Sequence, residues 1–179
     1  MKYLVVVDMQ NDFIDGALGT PEAQKVLPLV VEKVRNFDGE VIFTRDTHAP
    51  NYMETQEGKN LPVIHCVQDE PGWQLAEALD TWRKENPSTV FDKVTFGCKE
   101  LPEFFLQRAA EAPIESIEFC GVCTDICVVS NALLLKAFLP EVPMSAAADC
   151  CAGTTVANHE SALNTMKMCQ IQITGGENK

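Results

Sequence analysis

The chain has 179 residues, of which 26 are acidic and 14 basic, and a formal charge of −12. Hydrophobic residues at 46% and charged residues at 22% are ordinary globular values, which argues against a disordered, collagen-like or coiled-coil chain. The length fits one domain, residues 1–179, able to bury roughly 70% of the surface that its unfolded chain exposes, and the negative charge argues against nucleic acid or an anionic membrane as the partner.

Residues 3–7 form an unbroken β-branched and aromatic run, as expected for a strand covered on both faces. It stops at Asp8, before the polar turn Gln10-Asn11-Asp12. Thr20-Pro21-Glu22 combines a capping hydroxyl, a first-turn proline and an early acid, and predicts a helix to about Asn36, disturbed at Pro28. A second strand is expected over 40–44, ending at Arg45-Asp46. The stretch 47–72 is irregular and holds Pro50, Gly58, Pro62 and Pro71; loops of that length inside a compact domain are usually functional. Leu75, Ala76, Leu79 and Trp82 predict an amphipathic helix over 73–85. Then come a strand over 88–94 carrying Lys93, a helix over 100–111, a strand over 116–121 and a helix over 124–138. A small-residue strand over 142–147, a helix over 155–168 and a short strand over 170–174 complete the chain.

Strands alternating with helices predict right-handed crossovers and a three-layer α/β/α domain, Rossmann-like, around a six-stranded, mostly parallel sheet. Ligands of such sheets bind beyond the carboxyl ends of the strands. Asp8, Asp46, Lys93 and Gly121-Val122-Cys123 all fall at or just past predicted strand ends and are expected to converge.

No predicted span is long and apolar enough to cross a bilayer, and the N-terminus has no signal-peptide pattern, so a cytoplasmic location is expected. Eight cysteines in a reducing compartment read mostly as small buried apolar residues, not as a disulfide framework. The spacing also lacks the paired knuckles of structural zinc. Cys127 differs because it falls in the first turn of a helix following a tight strand-to-helix turn. Free backbone N–H groups and the positive dipole end there favour a thiolate, the form that attacks a carbonyl carbon. Alone, Cys127 would read as a buried helix residue. Asp8 as a base and Lys93 as a stabilising cation complete a Cys-Lys-Asp set that the cysteine by itself does not imply.

Four segments carry a wider resemblance: Val7-Asp8-Met9-Gln10-Asn11-Asp12-Phe13, Thr44-Arg45-Asp46-Thr47-His48, Phe91-Asp92-Lys93-Val94-Thr95-Phe96, and Gly121-Val122-Cys123-Thr124-Asp125-Ile126-Cys127-Val128. With these in order over nearly its whole length, the chain resembles the nicotinamidase/isochorismatase-like cysteine hydrolases, nicotinamidases above all. The resemblance implies a catalytic triad of Asp8, Lys93 and Cys127. It also implies a cis peptide between Val122 and Cys123, with the amides of Cys123 and Cys127 forming an oxyanion hole.

Asp46-x-His48, with His65 further along the same loop, has the donor types that zinc, manganese and iron accept. The resemblance makes these three residues ligands of a divalent metal, zinc first. No histidine lies between His48 and His65; the resemblance, whose members with glutamate place it late in this loop, implies Glu57 as the remaining ligand, with Glu54 as the alternative. Phe13 is expected as an aromatic wall for the substrate and Trp73 as a second. The implied activity is deamidation of nicotinamide, or of a pyrazinamide-like analogue, through a cysteine thioester. The alternatives are hydrolysis of another small amide (an N-carbamoyl compound, ureide or biuret), in relatives that commonly lack the metal, or a redox thiol protein. The resemblance also implies a homo-oligomer.

Overall fold

The computed structural model describes residues 1–176. The apolar run expected at the start forms β1 (Lys2–Val7), buried at every position after the first. It pairs in parallel with β2 (Glu40–Asp46) on one side and β4 (Ser116–Val122) on the other. β3 (Thr89–Lys93) extends the sheet beyond β2, while β5 (Met144–Ala152) and β6 (Gln172–Thr174) extend it beyond β4. The strand order is β3-β2-β1-β4-β5-β6, and every pairing is parallel, with helices on both faces. The order reverses between β1 and β4, which opens a crevice at their carboxyl ends.

Short α1 (Asn11–Ile14) and long α2 (Pro21–Asn36) connect β1 to β2. The Thr20 hydroxyl accepts the Ala23 N–H at 3.0 Å, as the sequence predicts. Pro28 lies inside α2 without ending it. It is on the exposed side, where water can serve the carbonyl that its ring leaves unpaired. The stretch after β2 is more ordered than its composition suggests. It contains a 3₁₀ turn, Tyr52–Glu54, and the single-turn α3 (Gln56–Asn60), which is capped by Thr55.

The predicted helix over 73–85 is shorter. Trp73 closes a separate 3₁₀ turn, Pro71–Trp73, and α4 (Glu77–Glu85) begins four residues later. Between them the chain runs extended: Asn11 N–H donates to Gln74 O at 2.9 Å and Ala76 N–H to Met9 O at 2.9 Å. Leu75 and Ala76 are therefore buried by backbone pairing with the β1–α1 turn and not by a helical face.

β3 leads through α5 (Glu100–Glu111) to β4. The helix expected over 124–138 divides into a π-helical turn, Thr124–Val128, and α6 (Val129–Phe138). β5 runs past its expected end at Ala147 to Ala152 because its register against β4 shifts between Phe119 and Gly121. That irregularity lets Asp149 point to solvent while Cys150, Cys151 and Ala152 return to the core. α7 (Val156–Met168) follows, capped by Thr155. No helix of the described residues is long and apolar enough to cross a membrane.

Candidate active site

Asp8 follows β1 directly and is left-handed, with φ 49°, a conformation that aspartate tolerates better than most residues. Two bonds from Thr44 hold it: the Thr44 carbonyl accepts the Asp8 N–H at 3.2 Å, and the Thr44 hydroxyl donates to Oδ1 at 2.6 Å. Asp8 Oδ2 lies 2.7 Å from Nζ of Lys93, the last residue of β3. The same ammonium is 3.5 Å from Cys127 Sγ, 3.3 Å from Asp46 Oδ1 and 3.1 Å from the Thr95 carbonyl. Asp8, Lys93 and Cys127 thus meet although 85 and 34 residues separate them along the chain, and all three are buried.

Gly121 permits this meeting. Its φ is 116°, and a Cβ there would collide with the Val7 carbonyl, so only glycine lets β4 turn this close to the end of β1. The next peptide, Val122–Cys123, is cis. Val128 donates its N–H to the Cys123 carbonyl, five residues back, at 3.1 Å, which makes the following turn wider than an α-helix. Thr124 and Asp125, a hydroxyl and a carboxylate at the start of this turn, do not cap it. Thr124 Oγ1 is 2.8 Å from His159 Nδ1, and the Asp125 carboxylate accepts the Thr154 N–H at 2.8 Å and its hydroxyl at 2.5 Å. The turn is fastened to α7 and the loop before it, not capped from within. Asn131 of α6 adds a bond to the Cys127 carbonyl at 2.8 Å.

Burial pushes the Cys127 thiol well above its ordinary value, and the Asp8 charge adds to this while Lys93 opposes it. The helix-start argument for a resting thiolate is outweighed: desolvation favours the neutral thiol, which needs a base. Burial also raises Asp8, with Lys93 opposing. Burial alone would lower Lys93, but Asp8, Cys127 and Asp46 more than compensate and keep it charged. A neutral thiol therefore rests 3.5 Å from the Lys93 ammonium, which is itself 2.7 Å from Asp8 Oδ2. All eight cysteines are free, and burial raises Cys123 to about 12, which gives no support to a redox pair.

The second cluster begins at Asp46, the end of β2. Asp46 Oδ2 is 3.0 Å from His48 Nε2 and 3.6 Å from His65 Nε2, and Glu57 Oε1 lies 3.7 and 4.0 Å from the same nitrogens. The four donor atoms all fall within 4.8 Å of one another. His65 Nδ1 is 2.8 Å from the Val63 carbonyl, which fixes the ring so that Nε2 faces the cluster. Burial would raise Asp46, but hydrogen bonds from His48 and His65 and the Lys93 charge hold it far below the carboxylate range. Two imidazoles and two carboxylates converging on one point fit a divalent cation. Glu57 takes the position, whereas Glu54 is exposed and outside the set.

A cavity of about 310 Å³ joins the two clusters, lined by Cys127 and Cys123 together with Asp46, Glu57 and His65. Phe13 lines it, as expected, with its ring 5.6 Å from that of His65. Trp73 does not line it. The Trp73 indole donates to Thr47 Oγ1 at 2.8 Å, and the Arg45 guanidinium stacks on the ring at 3.6 Å, so the side chain braces the loop from behind. Leu18, Leu61, Phe96 and Ile126 complete the apolar wall, with Thr20 and Thr154 as its hydroxyls. Sequence reasoning missed these residues because they sit in turns and loops without periodicity. It also missed Tyr52, whose buried ring lies 4.6 Å from His48 and 5.0 Å from His65. Gln10 was passed over as a turn residue, yet its side-chain amide pairs with both the N–H and the carbonyl of Asp46, at 2.7 and 2.8 Å.

A family model described as the isochorismatase domain matches residues 2–177. The chain belongs to the isochorismatase family. Among curated relatives of this isochorismatase-family protein, the nicotinamidase of Saccharomyces cerevisiae is 31% identical over 109 residues, 44% of this chain and 50% of that one. The match thus spans half the length of the yeast protein. The nicotinamidase/pyrazinamidase of Mycobacterium tuberculosis is 25% identical over 191 residues, covering 97% of this chain and 98% of its own. Among solved structures, the pyrazinamidase of Pyrococcus horikoshii in complex with zinc superposes with a TM-score of 0.78 at 28% identity, covering 98% of this chain and 99% of that one.

Proposed function

We propose that this isochorismatase-family protein is an amidohydrolase that converts nicotinamide, or a close analogue such as pyrazinamide, to the acid and ammonia. The observation that carries this reading is that Cys127 and the Asp46, Glu57 and His65 donors line the same cavity. A flat ring with a nitrogen acceptor and a carboxamide can address the thiol and the donors at once. The nicotinamidase and pyrazinamidase relatives support the substrate class.

In this mechanism, Asp8 accepts the Cys127 proton while the Lys93 ammonium stabilises the thiolate. The sulfur attacks the amide carbon, and the backbone N–H groups of Cys123 and Cys127 receive the oxyanion. Protonated Asp8 gives its proton to the amide nitrogen as the C–N bond breaks, which releases ammonia and leaves a thioester. Asp8 then takes a proton from water as that water attacks the thioester carbon. On collapse the same proton returns to the sulfur, and the acid departs. Asp46, His48, Glu57 and His65 would hold a divalent cation, zinc first, with manganese or iron as alternatives, that supplies a Lewis-acid site for the ring nitrogen. Phe13, Leu61 and Phe96 exclude water from the ring faces.

The test is ammonia release from nicotinamide by the zinc-loaded protein. Turnover that disappears in Cys127→Ala is expected, and no turnover by the loaded wild type would refute the substrate. We further read the chain as one hydrolase domain in the cytoplasm, which its eight free cysteines suit. A homo-oligomer is our reading from the family and from exposed apolar residues such as Val94 and Phe138. The charge of −12 favours small molecules over nucleic acid as ligands.

A further inference from the structure

Asp8 has two carboxylate oxygens, and the fold treats them differently. Oδ1 accepts the Thr44 hydroxyl at 2.6 Å, inside the sheet, from a residue paired with Val7 in the β1–β2 register. Oδ2 is turned toward the reacting side, where the Lys93 ammonium meets it at 2.7 Å. Thr44 and Asp8 are both fully buried, so no water competes for Oδ1. The Thr44 carbonyl also fixes the Asp8 backbone through its N–H. One residue therefore sets both where the carboxylate stands and which way it faces. A threonine inside a buried strand would ordinarily be replaceable by valine, which has the same shape. The hydroxyl itself is what valine lacks.

We propose that Thr44 is the positioning residue of the general base: its hydroxyl occupies Asp8 Oδ1, so that Oδ2 alone exchanges protons with Cys127 and the leaving nitrogen. The proposal rests on the mechanism above. The charged and titratable groups around Asp8 are Lys93 from β3, Asp46 from β2, Cys127 from the π-helical turn, and the buried thiols of Cys123 before that turn and Cys66 of the 47–72 segment. None of them donates to Oδ1, so the Thr44 hydroxyl has no substitute when removed. A buried carboxylate that loses a hydrogen bond is harder to ionise, and one such bond to a charged group corresponds to about one pH unit.

The experiment compares wild type with Thr44→Val and Thr44→Ala, which lack the hydroxyl, and with Thr44→Ser, which keeps it. Two quantities are followed against pH: kcat for ammonia release, and the rate at which iodoacetamide alkylates Cys127, located by peptide mass spectrometry. The expected result is an acid limb displaced upward by about one pH unit in the two hydroxyl-free variants, in both quantities, with Thr44→Ser close to wild type. On that limb, at fixed pH, the displacement is about a tenfold loss of rate. An unmoved limb in the hydroxyl-free variants would overturn the proposal. So would an equal displacement in Thr44→Ser, because the missing methyl and not the hydroxyl would then be responsible. Including alanine keeps the test intact if the valine variant does not fold. Alkylation needs no amide, so a wild type that leaves nicotinamide untouched would count against the substrate while the Thr44 result stands.

Discussion

At the scale of single residues, the site is a set of charges that are tolerable only together. Lys93 is 1% exposed and faces two carboxylates, Asp8 and Asp46, at 2.7 and 3.3 Å. Removing one partner from a buried ion cluster leaves the others uncompensated, and such truncations cost about 3–5 kcal/mol. Lys93→Met is expected to lose activity and to lower stability by that amount in urea unfolding; a loss under about 1 kcal/mol would mean that water reaches the carboxylates. The pH dependence has a definite sign. Because the folded value of Lys93 lies above its ordinary 10.5, its stabilisation is complete below pH 10.5 and fades as pH rises from there toward the folded value. Wild type should therefore lose stability above pH 10.5 more steeply than Lys93→Met. Equal slopes would show that the lysine is not the group responsible.

At the scale of elements, α7 and α2 begin alike but carry different burdens. Thr155 caps α7 through Asn158 N–H at 3.1 Å, and Thr20 caps α2 through Ala23 N–H at 3.0 Å. Thr155→Ala should cost about 1 kcal/mol, a fall of about 2–4 °C in Tm, with KM unchanged. Thr20→Ala should cost the same and also change KM, because Thr20 lines the cavity. Identical kinetics in the two variants would remove Thr20 from the substrate wall. These elements also show how far the sequence reaches. The strands and the long helices were legible because burial imposes a period, and Asp8, Asp46 and Lys93 were legible as strand ends. The segment 73–76 was not, since Leu75 and Ala76 fit a helical stripe but are buried by pairing with the β1–α1 turn. The second half of β5 lay beyond the strand expected over 142–147, because the shifted register against β4 that carries it to Ala152, with Asp149 exposed, has no sequence period. The wall residues Leu61 and Phe96 have no period to betray them. Trp73 misled for a related reason: an indole beside a site can brace it as readily as line it, and only its bond to Thr47 decides.

At the scale of the whole molecule, the sheet supplies fixed points and the 47–72 segment closes over them. Asp46 is anchored in β2, but His48, Glu57 and His65 come from that segment, which carries little regular structure of its own. Beyond the hydrogen bonds of its own short turns, its internal ties include the Tyr52 hydroxyl to the Leu61 carbonyl at 2.9 Å and the bridge between His48 and Val67. A cation held by all four donors would join three parts of the segment to the end of β2. Binding to the native state alone adds about 4 kcal/mol of stability when the free metal is a thousandfold above its Kd. Zinc should therefore raise Tm, and a chelator should reverse the rise. Cys127→Ala should keep the full response, because its thiol is not among the donors, whereas His65→Ala should lose most of it. Limited proteolysis gives a second readout, with cleavage inside 47–72 appearing on chelation and suppressed by zinc. A Tm indifferent to zinc, or a response that survives His65→Ala unchanged, would show that these four side chains are not a metal site, and the ring-nitrogen role assigned to them would fall with it.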